Sequence, residues 1–148
     1  MCIRDRAIQY AYNCGLVISF ELQESGITLS FTPVLDLNRG SQVIGDRSFS
    51  DRPQAVIELA GYLIEGLRDN GMVAVGKHFP GHGSVEQDSH VEKVIDERSF
   101  DEIMRNDMQV FVDLIQQRKL FAIMTSHVIY SAVDDLSLIH ISEPTRPY

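Results

Sequence analysis

Apolar residues recur every three or four positions through Ile8, Ala11, Tyr12, Gly15, Ile18 and Leu22, the spacing of one buried helical face. Gly26 stands just past that run as a helix stop. The period then changes. ITLSFTPVLDL, residues 27–37, is a run of β-branched and large apolar side chains and predicts a strand. The polar loop NRGSQVIGDRSFSD leads to Pro53, which opens a second helix with Ser50 or Asp51 as its cap. Val56, Leu59, Ala60, Leu63, Ile64 and Leu67 share one face of that helix, and Asn70-Gly71 ends it. MVAV, residues 72–75, begins a second strand. Ser99 and Glu102 have the spacing of a capping box ahead of a third helix, whose inner face is Ile103, Val110, Phe111, Leu114 and Ile115. FAIMTSHVIY, residues 121–130, predicts a third strand.

Helix and strand therefore alternate, and the strands are apolar without a polar alternate face. That pattern predicts an α/β fold with a parallel sheet covered on both sides. The strands end in Asp36, in Lys77 and His78, and in Ser126 and His127. Chemistry in parallel α/β folds gathers at those carboxyl ends. Three strands cannot close a barrel. The choice lies between a small open sheet and a slice of a (β/α)8 barrel, and the long loops after the strands favour the slice.

Bulk properties narrow the function classes. The 148 residues carry a net charge of −8 and no basic cluster, which argues against nucleic-acid partners. No apolar run reaches bilayer length, and the first residues hold charges where a signal peptide needs an apolar core. Two cysteines, Cys2 and Cys14, form no disulfide framework and suit a reducing cytoplasm. Residues 1–6 and 136–148 lack the patterning of the middle and resemble adapter-like, non-native ends; native tails are the alternative. The expected structural unit is thus residues 7–135.

The chemistry concentrates in GKHFPGHGSVEQDSH, residues 76–90, which holds a lysine, three histidines and three glycines. Gly71, Gly76 and Lys77 nearly match a phosphate-binding loop. His78 stands where a magnesium-binding hydroxyl belongs, however, and the intervening residues are strand. A zinc site built from His78, His82, Asp88 and His90 is a second reading, although these residues lack helical registration. A third is proton transfer: Asp88 can accept from one nitrogen of His90 and leave the other to exchange a proton.

FTPVLDLN, VIGDRSFSDRP, GKHFPGHGSVEQDSH and IMTSHVIYSAVD occur in that order along the chain. Together they resemble the family 3 glycoside hydrolases, specifically the bacterial β-N-acetylglucosaminidase branch, over about residues 7–134. The resemblance implies a (β/α)8 barrel that cleaves terminal N-acetyl-β-D-glucosaminides with retention, without a cofactor or catalytic metal. It implies a cytoplasmic role in cell-wall recycling, on a muropeptide or disaccharide containing N-acetylglucosamine. His90 takes the acid/base role with Asp88 as its orienting partner, Lys77 and His78 hold sugar hydroxyls, and Arg47 binds sugar as well. Gly81 and Gly83 then supply the permissive backbone of a loop that carries His90, and Pro80 fixes where that loop leaves the strand. A β-glucosidase of the same family is the nearer alternative to this reading, and a zinc-binding module the more distant one.

One departure bears on activity. The family's nucleophile is an aspartate on a later strand, and VDDLSLIH, residues 133–140, follows HVIYS too closely to be that strand. Neither Asp134 nor Asp135 is assigned as nucleophile. The expectation is an inactive internal fragment of about three middle strands, without the barrel's first strands or the acidic substrate-binding residue they carry.

Overall fold

The computed structural model describes residues 2–86 and 94–133. Helix α1 (Ile3–Glu24) already begins at Ile3, where Cys2 Sγ accepts from the Asp5 N–H and the Asp5 carboxylate accepts from the Cys2 N–H. Helix α2 (Pro53–Asp69) has Pro53 in its first turn, but the cap is Arg52 rather than Ser50 or Asp51. Arg52 makes no side-chain cap. Ser50 Oγ instead accepts from the Arg52 N–H and shapes the turn before the helix. Gly26 and Gly71 have left-handed φ values of 79° and 78°, as their places after the two helices predict.

The two helices touch backbone to backbone. Ala11, Gly15 and Ser19 form the buried stripe of α1, so small residues rather than large apolar ones face α2. A Cβ on Gly66 would stand 2.1 Å from the Tyr12 carbonyl oxygen, and one on Gly15 2.2 Å from that of Leu63. Neither neighbour is a side chain that can rotate away. Gly66→Ala is therefore expected to force the helices apart and cost about 3 kcal/mol, the upper end for overpacking. Urea unfolding of the purified chain measures it; an unchanged midpoint would contradict the close crossing.

Strands β1 (Leu29–Ser30), β2 (Val73–Phe79) and β4 (Ala122–Thr125) form a parallel sheet in the order β1-β2-β4. The alternation of strands with helices gives the α/β class expected from the sequence. The first strand is far shorter than residues 27–37. After Ser30 the chain meets Pro33, which has no N–H to give a ladder. It stays beside β2 through Val75 N–H to Thr32 O, Lys77 N–H to Pro33 O, and an isolated bridge between Val34 and Lys77. The third strand is two. Residues 126–128 separate β4 from β5 (Ile129–Tyr130), which pairs in parallel with β3 (Ile95–Asp96) in a second sheet. A change of partner, invisible in local sequence, breaks the run. No helix among the described residues is long and apolar enough to cross a membrane.

Helix α3 (Phe100–Ile103) carries the predicted capping box between Ser99 and Glu102. It continues through a π-helical turn (Met104–Met108) into α4 (Gln109–Gln116). Val110, Phe111 and Leu114 are fully buried against Leu35, Leu37, Val56, Ile64 and Leu67 in the main core. Ile115 is 47% exposed, contrary to its expected inner place, and Asp107 is the buried residue between Ile103 and Val110.

Candidate active site

The carboxyl end of β2 is built around a register slip. Val75, Gly76 and Lys77 pair in turn with Ala122, Ile123 and Met124, and then Phe79 pairs with Thr125, which leaves His78 bulged out of the ladder. In a regular strand, successive side chains point to opposite faces. The bulge re-aims His78, so that Lys77 and His78 both line one cleft of about 360 Å³ together with Arg47, His82, Ser126 and His127. Three of the sequence-predicted site residues, Arg47, Lys77 and His78, thus meet. His127, which the sequence places at the end of the third strand, lies in the same wall.

Asp36 organises the cleft floor. Its residue is 1% exposed, and its carboxylate accepts the His82 N–H at 2.7 Å, the His78 N–H at 3.3 Å and His78 Nδ1 at 2.7 Å. Ser48 Oγ donates to the Asp36 carbonyl at 2.6 Å and so ties the loop that bears Arg47 to the end of the first strand segment. Arg47 sits on a short 3-10 turn (Gly45–Arg47) and donates to the Val43 carbonyl at 2.6 Å. Partial burial, with the Arg47 charge added to it, lowers the Lys77 pKa, while Asp36 pulls it back up. Lys77 is a partly desolvated ammonium, the state in which a hydrogen bond to a ligand oxygen replaces missing water.

The loop after β2 is gripped at its start. A Cβ on Gly83 would lie 1.9 Å from the Leu37 carbonyl oxygen, and one on Gly81 2.6 Å from the Asp107 side chain. The glycines are thus required by close approach. Tyr130 Oη donates to the Gly81 carbonyl at 2.7 Å and lies 2.9 Å from Ser126 Oγ. Burial is the chief cause that pushes the Tyr130 phenol above its ordinary pKa, so it stays a donor. On the other side of the loop, Arg98 holds Asp96 with a bidentate pair and reaches Asp107 at 2.7 Å. Burial opposes the Arg98 charge, but these bonds more than offset it and keep the guanidinium cationic. Burial raises the Asp107 pKa, and Arg98 pulls it part of the way back.

Asp88 and His90 lie outside the described residues, as do Asp134 and Asp135. Among the described residues, no three His, Cys, Asp or Glu side chains converge as a metal-ligand set. Sequence reasoning named Asp36 only as a strand-end residue and missed Asp96, Arg98 and Asp107 altogether. Asp96 and Arg98 before the helix, and Asp107 within its π-helical turn, read as solvated charges, and no local signal marks them as one paired cluster.

Residues 3–144 match the family model described as the glycosyl hydrolase family 3 N-terminal domain. The chain is 54% identical over 132 residues to a beta-hexosaminidase of Tolumonas auensis, covering 89% of this chain and 40% of that one. Among solved structures, NagZ from Neisseria gonorrhoeae in complex with N-trifluoroacetyl-D-glucosamine is similar at 46% identity and a TM-score of 0.84, over 90% of this chain and 39% of that one. The same protein has been solved with a zinc ion. A family 3 beta-N-acetylglucosaminidase from Paenibacillus superposes with a TM-score of 0.81 at 34% identity, over 88% of this chain and 25% of that one. The chain spans about 40% of the length of the curated relatives it matches. With a family model matched along nearly all of its length, the chain belongs to glycosyl hydrolase family 3.

Proposed function

We propose that this chain is the part of a retaining β-N-acetylhexosaminidase that carries the acid/base loop and one wall of the sugar pocket. The observation that carries the reading is the cleft at the end of β2, where Arg47, Lys77 and His78 converge in a chain 54% identical to a beta-hexosaminidase. The three parallel strands β1, β2 and β4 fit neighbouring middle strands of a (β/α)8 barrel. Exposed Leu29 and Phe31 on one side, and Phe121 and Ile123 on the other, suit faces that further barrel elements cover.

In this reading Arg47 and Lys77 donate to sugar oxygens and hold the ring at the strand ends. His90, oriented by Asp88, gives its proton to the glycosidic oxygen as the bond to the anomeric carbon breaks. A carboxylate on the opposite face forms the glycosyl-enzyme bond. His90 then takes a proton from the water that breaks it. The substrate is a terminal N-acetylglucosaminide of muropeptide type, handled in the cytoplasm, and the N-acetylglucosamine analogue bound by the Neisseria protein supports that class.

The test pairs two proteins. A complete enzyme frame containing this segment is expected to prefer an aryl N-acetylglucosaminide over the aryl glucoside. The 148-residue chain alone is expected to show no turnover, because none of its aspartates is assigned as nucleophile. Preference for the glucoside would move the reading to a β-glucosidase, and turnover by the chain alone would overturn the missing-nucleophile argument. The zinc ion in the Neisseria structure favours one second reading, zinc binding through the His-rich loop. Tight stoichiometric zinc uptake by the chain would support it.

A further inference from the structure

We propose that Asp36 is a positioning residue that locks His78 in its Nδ1–H tautomer, so that Nε2 meets the ligand as a hydrogen-bond acceptor beside the donor Lys77. The inference rests on the proposed sugar-binding reading for its ligand, but the tautomer itself follows from geometry alone.

Asp36 Oδ2 lies 2.7 Å from His78 Nδ1, and the Asp36 side chain has no exposed surface. A carboxylate only accepts, so a neutral ring with its proton on Nε2 would set the Nδ1 lone pair against a carboxylate lone pair at that distance. The same carboxylate is held in place from the backbone. His82 N–H donates to Oδ1 at 2.7 Å, and His78 N–H lies 3.3 Å from Oδ2. These bonds come from both sides of the bulge at His78, so the ring cannot swing away without unmaking the loop's first turn. With Nδ1 engaged, Nε2 is the ring's remaining polar atom. It has no hydrogen-bond partner among the described residues, in a side chain that lines the cleft and is 18% exposed.

Polarity then sets ligand class. Lys77 is an obligate donor, and the lone pair of Nε2 is an obligate acceptor. The two are chain neighbours that face one space because of the bulge. A phosphate dianion or carboxylate satisfies Lys77 but brings no proton to Nε2, and an ammonium group does the reverse. A pair of adjacent hydroxyls satisfies both, one oxygen accepting from Lys77 while the other hydroxyl donates to His78. The pair therefore selects a neutral polyhydroxylated ring over an anionic one. A carboxylate that accepts from the far ring nitrogen and so fixes a histidine tautomer is a familiar device around metals; here it sets the sense of a hydrogen bond to a ligand.

The test reads the tautomer directly. The 15N-labelled chain is examined by long-range proton–nitrogen correlation at alkaline pH, with His78→Gln identifying the His78 signals. Protonation of Nδ1 alone supports the proposal. Protonation of Nε2 alone, or of both nitrogens, overturns it, since either makes Nε2 a donor. Asp36→Asn is expected to reverse the tautomer, because an amide that keeps its oxygen toward His82 N–H turns its NH2 toward Nδ1. If that variant misfolds, the wild-type spectrum still decides. In the complete enzyme frame the same substitution is expected to raise KM roughly tenfold with a smaller change in kcat, as for a lost ligand hydrogen bond. An unchanged KM would refute the proposed role in binding. Absence of glycosidase activity in the unmutated frame would count against the sugar reading and leave the tautomer result standing.

Discussion

Replacing His90 with alanine in a complete enzyme frame is expected to slow cleavage of a substrate with a poor leaving group by roughly 10²–10⁴-fold, the range for losing a general acid. The departing oxygen of an alkyl or sugar aglycone is strongly basic, so bond breaking without a proton leaves a costly alkoxide. A dinitrophenolate leaves unaided, and its glycosylation step should hardly change. The diagnostic is the spread between the two substrates. Asp88→Ala should damage the same step, because an imidazole without its carboxylate loses both orientation and stabilisation of its charged form. An equal loss for good and poor leaving groups would remove His90 from the acid role. Neither residue lies among the described ones, so the expectation stands on motif position. It gains from how the surroundings are built, with Asp36, Tyr130 and Asp107 fixing the start of the loop that runs toward them.

Arg98→Ala is expected to destabilise the fold by about 3–5 kcal/mol near neutral pH, the cost of breaking a buried ion pair from one side. The guanidinium pairs with two carboxylates at once, and both are nearly inaccessible: Asp96 is 3% exposed and Asp107 1%. Without it two buried negative charges face each other. The pH dependence is the distinguishing sign. Burial already raises the Asp107 pKa above its ordinary value. A carboxyl raised in the fold binds its proton more tightly there than in the unfolded chain. Its contribution to stability is therefore fullest below the ordinary value of about 4 and is lost as pH rises through the raised one. Loss of Arg98 removes the cation that pulls the Asp107 pKa back and so pushes that carboxyl further up. The destabilisation should be largest near neutrality and shrink as the solution is acidified toward about pH 4. Urea unfolding of wild type and variant at the two conditions measures it. A loss that is equal at both, or below about 1 kcal/mol as for a surface pair, would rule out the buried-triad account.

The sequence by itself determined what depends on neighbours along the chain. The buried face of α2, the glycine stops of α1 and α2 and the capping box at Ser99 and Glu102 follow from local periodicity and local hydrogen bonding. It also placed Lys77 and His78 at a strand end, because an uncharged apolar run that meets polar residues marks that boundary on its own. Tertiary structure decided what depends on segments that meet. The run of residues 121–130 splits because Ala122–Thr125 pairs with β2 and Ile129–Tyr130 with Ile95–Asp96, a change of partner that no local pattern records. Ile115 lies outside the core, while Asp107 in the π-helical turn takes a buried place that its charge alone would never suggest. Asp36 becomes the hub of the cleft only when the backbone of residues 78 and 82 folds over it. Hydrophobic period reports which face of an element is covered. Which polar groups that cover brings together is set by the packing of elements distant in sequence, since a buried charge is tolerated only where its partners arrive.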